Sequence, residues 1–247
     1  MRSSTHLSLH VTPTPEALAQ VTAQLLVDQC TQSIAERGHF TLALSGGSTP
    51  RALFHLLASE PYRSTIPWEK VEFYWVDERC VDPDSPESNY RVARDELLHM
   101  VSATKFYRIK GELDPAEAAQ AYDHLLRQHF ELGSGELPRF DCALLGMGED
   151  GHIASLFPGE DGLDITDRLV IDQRVRALKS DRISLTLPVL NNARCCLFMV
   201  QGARKHAALS KALDLLATPE LPAQRIRPTN GALIWVIDDA ARTGKEK

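Results

Sequence analysis

The sequence predicts an α/β protein of three layers, with helices packed on both faces of a mainly parallel sheet. Short apolar runs alternate with segments of helical period along the whole chain. The runs are near-continuous rather than alternating, as in strands buried on both faces. Helices between successive strands imply right-handed crossovers, and hence parallel neighbours. The 247 residues are ample for a sizeable core. No repeat or long flexible linker divides them, and residues 1–247 are read as a single domain.

Residues 7–11 read as a strand. Over 15–36 the apolar residues Ala17, Leu18, Val21, Leu25, Leu26 and Ile34 recur at helical spacing, and Gly38 supplies a stop. Residues 40–44 form a short buried strand that runs into Ser45-Gly46-Gly47-Ser48-Thr49-Pro50, followed by a helix over 51–59. Residues 71–76 are the next strand, and a polar loop is expected over 77–86. Ser88 is placed to cap a helix through Met100. A short strand is expected at 105–109. Asp114-Pro115 then opens a helix to about Leu132, with an acidic cap before a first-turn proline. The Gly133-Ser134-Gly135 stretch is a turn, and the weakest boundary in the chain. Residues 140–145 are a strand, followed by Gly146-Met147-Gly148-Glu149-Asp150-Gly151-His152. Weaker strand signals lie at 169–171 and 183–187. A strand over 195–200, a helix over 203–216, a Pro-rich connection over 218–228, a strand over 232–237 and a short terminal helix complete the chain. The whole pattern is Rossmann-like.

Composition narrows the functional classes. Lys and Arg total 27 against 33 Asp and Glu, a net charge of -6. That balance argues against a nucleic-acid or anionic-membrane partner recognised by bulk charge, but not against a small anion held by a few placed cations. No apolar run approaches the roughly 20 residues of a membrane span. The five cysteines are an odd number without a Cys-x-x-Cys pair, and Cys195 and Cys196 lie in an apolar run. A reducing, cytoplasmic setting is expected, without a disulfide framework or metal cluster. Residues 1–10 lack a signal core, and the segment Thr-Gly-Lys-Glu-Lys at 243–247 reads as a solvated tail without a lipidation signal.

In parallel sheets, ligands sit outside the carboxyl ends of the strands. Three loops there are unusually polar. In the first, Gly46 and Gly47 let backbone N–H groups close on a phosphate at a helix N-terminus, with hydroxyls from Ser45, Ser48 and Thr49. A plain capped turn explains the same residues, and no Gly-Lys-Ser/Thr makes it a P-loop. The second loop is Asp77-Glu78-Arg79. Three consecutive charges at the end of a buried strand either face a cleft or form a solvated loop with a local ion pair. The third, Gly146-Met147-Gly148-Glu149-Asp150-Gly151, matches the dinucleotide fingerprint, and Asp172 lies about 20 residues on. However, residues 153–157 stop at Pro158-Gly159, too soon for the long helix required, and Glu149 and Asp150 would oppose a pyrophosphate. The loop instead presents a carboxylate and His152, whose imidazole suits general-base work. Arg182 precedes a strand, and Lys205 stands in the first turn of a helix. A cation there opposes the helix dipole unless an anion is nearby.

The chain resembles the 6-phosphogluconolactonases, in the superfamily shared with glucosamine-6-phosphate deaminase. The matching stretches are LALSGGSTPRALF (42–54), FYWVDERCVDPDSPESNYRVARDELL (73–98), DCALLGMGEDGHIASLFPG (141–159), RISLTLPVLNNAR (182–194) and GALIWVIDDAA (231–241). The Asp-Gly-His-x-Ala-Ser-Leu-Phe-Pro-Gly run, and Asp-Glu-Arg with a downstream Ser-Asn-Tyr, are the most specific. The resemblance implies a fold like that of sugar-phosphate isomerases, no cofactor and no catalytic metal. It implies hydrolysis of a small phosphosugar lactone, 6-phospho-D-glucono-1,5-lactone, to 6-phosphogluconate in the pentose phosphate pathway, with no nucleic-acid or membrane partner. By similarity, Ser45, Gly46, Gly47, Ser48, Thr49, Arg182 and Lys205 hold the phosphate. His152 is the base, and Asp150, Asp77 and Arg79 complete the catalytic set. The deaminases usually continue Asp-Gly-His towards Asn-Glu-Pro-Gly, whereas this chain continues Ser155-Leu156-Phe157-Pro158-Gly159. Family members often carry prolines upstream of Arg182. This chain reads Arg176-Ala177-Leu178-Lys179-Ser180-Asp181, which leaves Lys179 without an assigned role. The rival readings are an amino-sugar-phosphate deaminase, detectable by ammonia release, and a sugar-phosphate sensor that binds 6-phosphogluconate without turnover.

Overall fold

The computed structural model describes residues 6–214 and 218–246. Its first half runs β1 (His6–Thr12), α1 (Pro15–Arg37), β2 (Phe40–Leu44), α2 (Thr49–Leu57), α3 (Tyr62–Thr65), β3 (Val71–Trp75), β4 (Asp77–Arg79), α4 (Asn89–Glu96), β5 (Lys105–Tyr107) and α5 (Pro115–His129). The second half carries β6 (Cys142–Leu145), β7 (Val170–Val175), β8 (Ser180–Leu185), α6 (Leu187–Asn191), β9 (Cys195–Val200), α7 (His206–Ala212), β10 (Ala232–Asp238) and α8 (Asp239–Thr243).

Local chemistry sets many of these boundaries. Thr14 caps α1 by accepting the Ala17 N–H at 3.2 Å, and Gly38 ends it at φ +83°. Ser88 caps α4 by accepting from the Arg91 N–H, and Asp114 caps α5 by accepting from the Ala116 N–H. The expected helix over 51–59 starts earlier, at Thr49. The helix expected through Met100 stops at Glu96, and a 3-10 turn, Leu98–Met100, follows it. That expected over 203–216 opens with a 3-10 turn, Ala203–Lys205, before α7, and its last two residues lie outside the described residues.

The central sheet has the order β1-β10-β9-β6-β2-β3-β5, and every neighbouring pair is parallel. Helices cover both faces, in the expected three layers. All residues of β2, β6 and β9 are buried, in keeping with apolar runs that only Thr41 in β2 interrupts. β5 is too short to reach Trp75, and the Tyr122 hydroxyl from α5 takes its place. It accepts from the Trp75 N–H and donates to the Trp75 carbonyl, both at 3.0 Å.

Two expectations need correction. The polar loop over 77–86 contains a strand, β4. The strands near 169–171 and 183–187 do not join the parallel sheet; with β4 they form a separate antiparallel sheet, β4-β8-β7. The chain steps between sheets at Val76, whose N–H reaches the Leu44 carbonyl at 2.9 Å and whose carbonyl accepts from the Leu185 N–H at 2.8 Å. The second sheet packs against α5.

The chain runs outward from β2 through β3 to β5, then returns to place β6 on the other side of β2. This reversal is the topological switch point, where a parallel sheet leaves a crevice at the carboxyl ends of its strands.

Candidate functional site

Four adjacent strands, β9, β6, β2 and β3, deliver their following segments to one edge of the sheet. Between those segments lies an open cavity. The 45–49 turn, Asp77, Arg79, His152 and Lys205 all line it, together with Asn89, Gly146, Met147, Gly148 and Ala154. The three polar loops singled out in the sequence therefore meet.

One end of the cavity suits an anion. Gly47 takes φ +94°, a conformation that favours glycine, as the chain turns into α2. Ser48, at the N-cap of α2, makes no side-chain capping hydrogen bond, so the first-turn N–H groups lack that usual partner. The Ser45 hydroxyl is buried and unpartnered. Lys205 ends the turn after β9, and burial lowers its pKa, with Glu149 and Asp150 opposing that shift. A half-buried ammonium that lines the same cavity as the glycine turn and the free Ser45 hydroxyl forms an anion cradle.

The 146–152 loop supplies the titratable pair. The Gly148 N–H donates to the His152 carbonyl at 2.8 Å and closes the loop on itself. His152 Nδ1 lies 2.6 Å from Asp150 Oδ1, and the His152 N–H donates to the same oxygen at 3.1 Å. A carboxylate only accepts, so Nδ1 carries the proton and Nε2 of the neutral ring is the basic nitrogen. Burial works to raise the Asp150 pKa, but the bonds from the His152 ring and backbone bring it below the ordinary carboxylate value. The ring stacks on Phe157 with centroids 4.1 Å apart. A Cβ on Gly148 would fall 2.0 Å from His152 Nδ1, so the dyad occupies the space a side chain would need.

The third segment is β4. Strand alternation turns Asp77 and Arg79 towards the cavity and Glu78 away from it. The Asp77 carboxylate is buried. It accepts from Ser155 Oγ at 2.7 Å and from Asn89 Nδ2 at 3.3 Å. Glu78 is also buried, and its oxygens accept from the N–H groups of Arg79, Asn89 and Tyr90 and from Ser88 Oγ. Burial pushes its pKa up against the pull of those N–H groups. Neither a cleft nor a solvated loop alone describes Asp77-Glu78-Arg79, because one of its charges anchors a helix.

Two sequence-predicted residues stand outside the cavity lining. Asp150 contacts it through His152. Arg182 sits on β8 directly opposite Arg79. Burial and the Arg79 charge lower the Arg182 pKa, with Asp77 acting against them. Two guanidiniums held opposite each other repel, and an anion nearby relieves that repulsion. Lys179 lies in the turn between β7 and β8, at φ +51°. Among the described residues, no group of three or more His, Cys, Asp and Glu side chains is placed to hold a metal. Sequence reasoning missed Asn89, Ser155 and Phe157 as parts of the site. All three lie within the matching stretches, but their orientation follows from contacts between distant segments.

The glucosamine-6-phosphate isomerases/6-phosphogluconolactonase family profile matches residues 13–235. A 6-phosphogluconolactonase of Synechocystis is 38% identical over 239 residues, covering 92% of this chain and 97% of that protein. The structure of a 6-phosphogluconolactonase from Trypanosoma brucei superposes with a TM-score of 0.86 at 28% identity, covering 96% of this chain and 98% of that one. A monomeric glucosamine-6-phosphate deaminase shares the fold with a TM-score of 0.79 at 18% identity, covering 96% and 100%.

Proposed function

The chain belongs to the glucosamine-6-phosphate isomerase/6-phosphogluconolactonase family, and from that premise we propose that it hydrolyses 6-phospho-D-glucono-1,5-lactone to 6-phosphogluconate. One observation carries the reading: a single cavity joins an anion cradle to a carboxylate–imidazole dyad. In this reading the chain is one catalytic domain of the pentose phosphate pathway. Its free thiols, Cys80 half-buried and the other four buried, suit a reducing cytoplasm.

The substrate's phosphate binds the 45–49 turn and Lys205. Arg182 adds positive potential from beside Arg79 on the neighbouring strand. Phosphate anchoring sets the lactone carbonyl against His152, which converts binding into orientation. His152 Nε2 takes a proton from water as the water oxygen attacks the carbonyl carbon. Asp150 holds the ring and stabilises the imidazolium that forms. Arg79 faces the cavity and is the cation for the tetrahedral oxyanion. The oxyanion collapses, the bond from the carbonyl carbon to the ring oxygen breaks, and the imidazolium returns its proton to that oxygen. A lactone is already an activated ester, so no covalent nucleophile is needed. Asp77, held at both oxygens, retains acceptor capacity for sugar hydroxyls.

The test is a lactonase assay with the spontaneous rate subtracted, using phosphorylated and unphosphorylated gluconolactone side by side. Phosphate anchoring predicts a clear preference for the phosphorylated substrate. H152A is expected to lose about 10²–10⁴-fold in kcat, whereas K205A and R182A mainly raise KM. Near-normal kcat in H152A removes the base from the mechanism. Ammonia release from glucosamine 6-phosphate, with no lactone hydrolysis, replaces the reading with the deaminase.

A further inference from the structure

Asn89 lines the cavity, yet no step of the proposed reaction uses it. It is the first residue of α4, and its placement is over-determined. Glu78, buried beneath that helix start, accepts the Asn89 N–H at 2.7 Å, the Tyr90 N–H at 2.8 Å and the Ser88 hydroxyl at 3.0 Å. This clamp sets the Asn89 side chain between two of the loops. On one side, Nδ2 donates to the Asp77 carbonyl at 3.0 Å and to Asp77 Oδ1 at 3.3 Å. On the other, Oδ1 lies against Gly46, where an added Cβ would sit 1.8 Å from it. The glycine of the anion cradle is small because Asn89 fills the space.

Asp77 is gripped at both oxygens, Oδ1 by Asn89 and Oδ2 by Ser155. With one grip removed, the carboxylate is free to turn about its last side-chain bond, and its remaining lone pairs lose their fixed direction. We infer that Asn89 is a positioning residue: it orients the Asp77 carboxylate towards the sugar and spaces it from the phosphate-holding turn at Gly46. The inference rests on the lactonase reading.

N89D is the decisive variant, because it keeps the shape that Gly46 accommodates and replaces the donor with an acceptor. At about pH 8 the two carboxylates repel, and kcat/KM on the phosphorylated lactone is expected to fall about tenfold or more. Acidification lets the pair share one proton, which restores a donor. The ratio of N89D to the parent chain should therefore rise several-fold between about pH 8 and about pH 6. A purely structural lesion gives a ratio that does not move with pH, and a flat ratio overturns the inference. Should N89D not fold, N89A combined with D77N decides. If Asn89 acts through Asp77, the double variant is no slower than D77N alone, and losses that multiply overturn the inference. The parent chain, run in the same assay, keeps the two readings apart. A parent that fails to accelerate lactone hydrolysis removes the proposed function itself, whereas an active parent with a pH-independent N89D loss removes only the role of Asn89.

Discussion

Replacing Gly148 with alanine perturbs the dyad without touching either member. The backbone of Gly148 is not at positive φ, so alanine meets no conformational penalty there. Its Cβ would nevertheless fall 2.0 Å from His152 Nδ1, 2.3 Å from Cε1 and 2.5 Å from Asp150 Oδ1. Ordinary contact begins near 3.4 Å, so the imidazole must retreat by about 1.4 Å. That displacement is more than half the 2.6 Å spacing of the dyad, and it breaks the bond that fixes the tautomer. A misplacement of about 1 Å is enough to cost on the order of 10²-fold, and kcat for G148A should fall by about that factor. The 45–49 turn and Lys205 are untouched, so KM for the phosphorylated lactone should change little. Proton release at constant pH, corrected for spontaneous hydrolysis, reads both constants, and far-ultraviolet circular dichroism confirms the fold. A folded G148A with kcat within about threefold of the parent would refute the steric argument.

Three further outcomes follow from other contacts. D150N keeps the shape of the pair but cannot stabilise an imidazolium, and kcat should drop about 10²-fold, less than in a fully buried triad because Asp150 is half exposed. The folded Asp150 pKa lies below its ordinary 3.8, so its stabilising contribution is present above that value and lost as pH falls through the folded one. Unfolding midpoints of the parent and D150N should accordingly converge on acidification below about pH 3.8. Asp141 is buried at the far end of the sheet, where it accepts from the Thr41 N–H at 2.8 Å and from Arg37 Nε at 3.0 Å, with Arg194 Nε at 3.4 Å. D141N should cost about 2–3 kcal/mol in denaturant unfolding, because both arginines are partly solvated, and leave kcat of the folded enzyme unchanged. K179G relieves a left-handed turn position and should gain up to about 1 kcal/mol with unaltered kinetics; a change in KM would give Lys179 a role in binding.

The parallel sheet could be read from the chain because its strands declare themselves locally. Residues 195–200 are an unbroken apolar run and residues 40–44 one interrupted only by Thr41, and each sits where both of its faces are covered. β4 makes no such declaration. Asp77-Glu78-Arg79 is a strand only because residues 182–184 arrive from about a hundred positions later to pair with it. For the same reason the sequence does not reveal that Arg182 faces Arg79, or that Glu78 holds α4. The site divides in the same way. His152, Lys205 and the 45–49 turn follow strand ends, where the position in the chain sets the position in the fold. The contributions of Asn89, Ser155 and Phe157 depend on which way their side chains point, and that is settled only by their partners on other segments.

The switch point between β2 and β6 also makes the site a late product of folding. The 45–49 turn of the anion cradle follows β2, the dyad follows β6 and Lys205 follows β9. The two strands pair through Leu42 with Cys142 and Ala43 with Ala143. A chain emerging from the ribosome up to α5 holds the 45–49 turn, Asp77 and Arg79, but not the His152–Asp150 dyad. Closure of that long-range pairing is slow compared with local structure, so activity reports that both halves have docked in register. The exposed 133–135 turn lies between the halves, and it is the natural point at which to divide the enzyme into two fragments whose reunion is read as turnover.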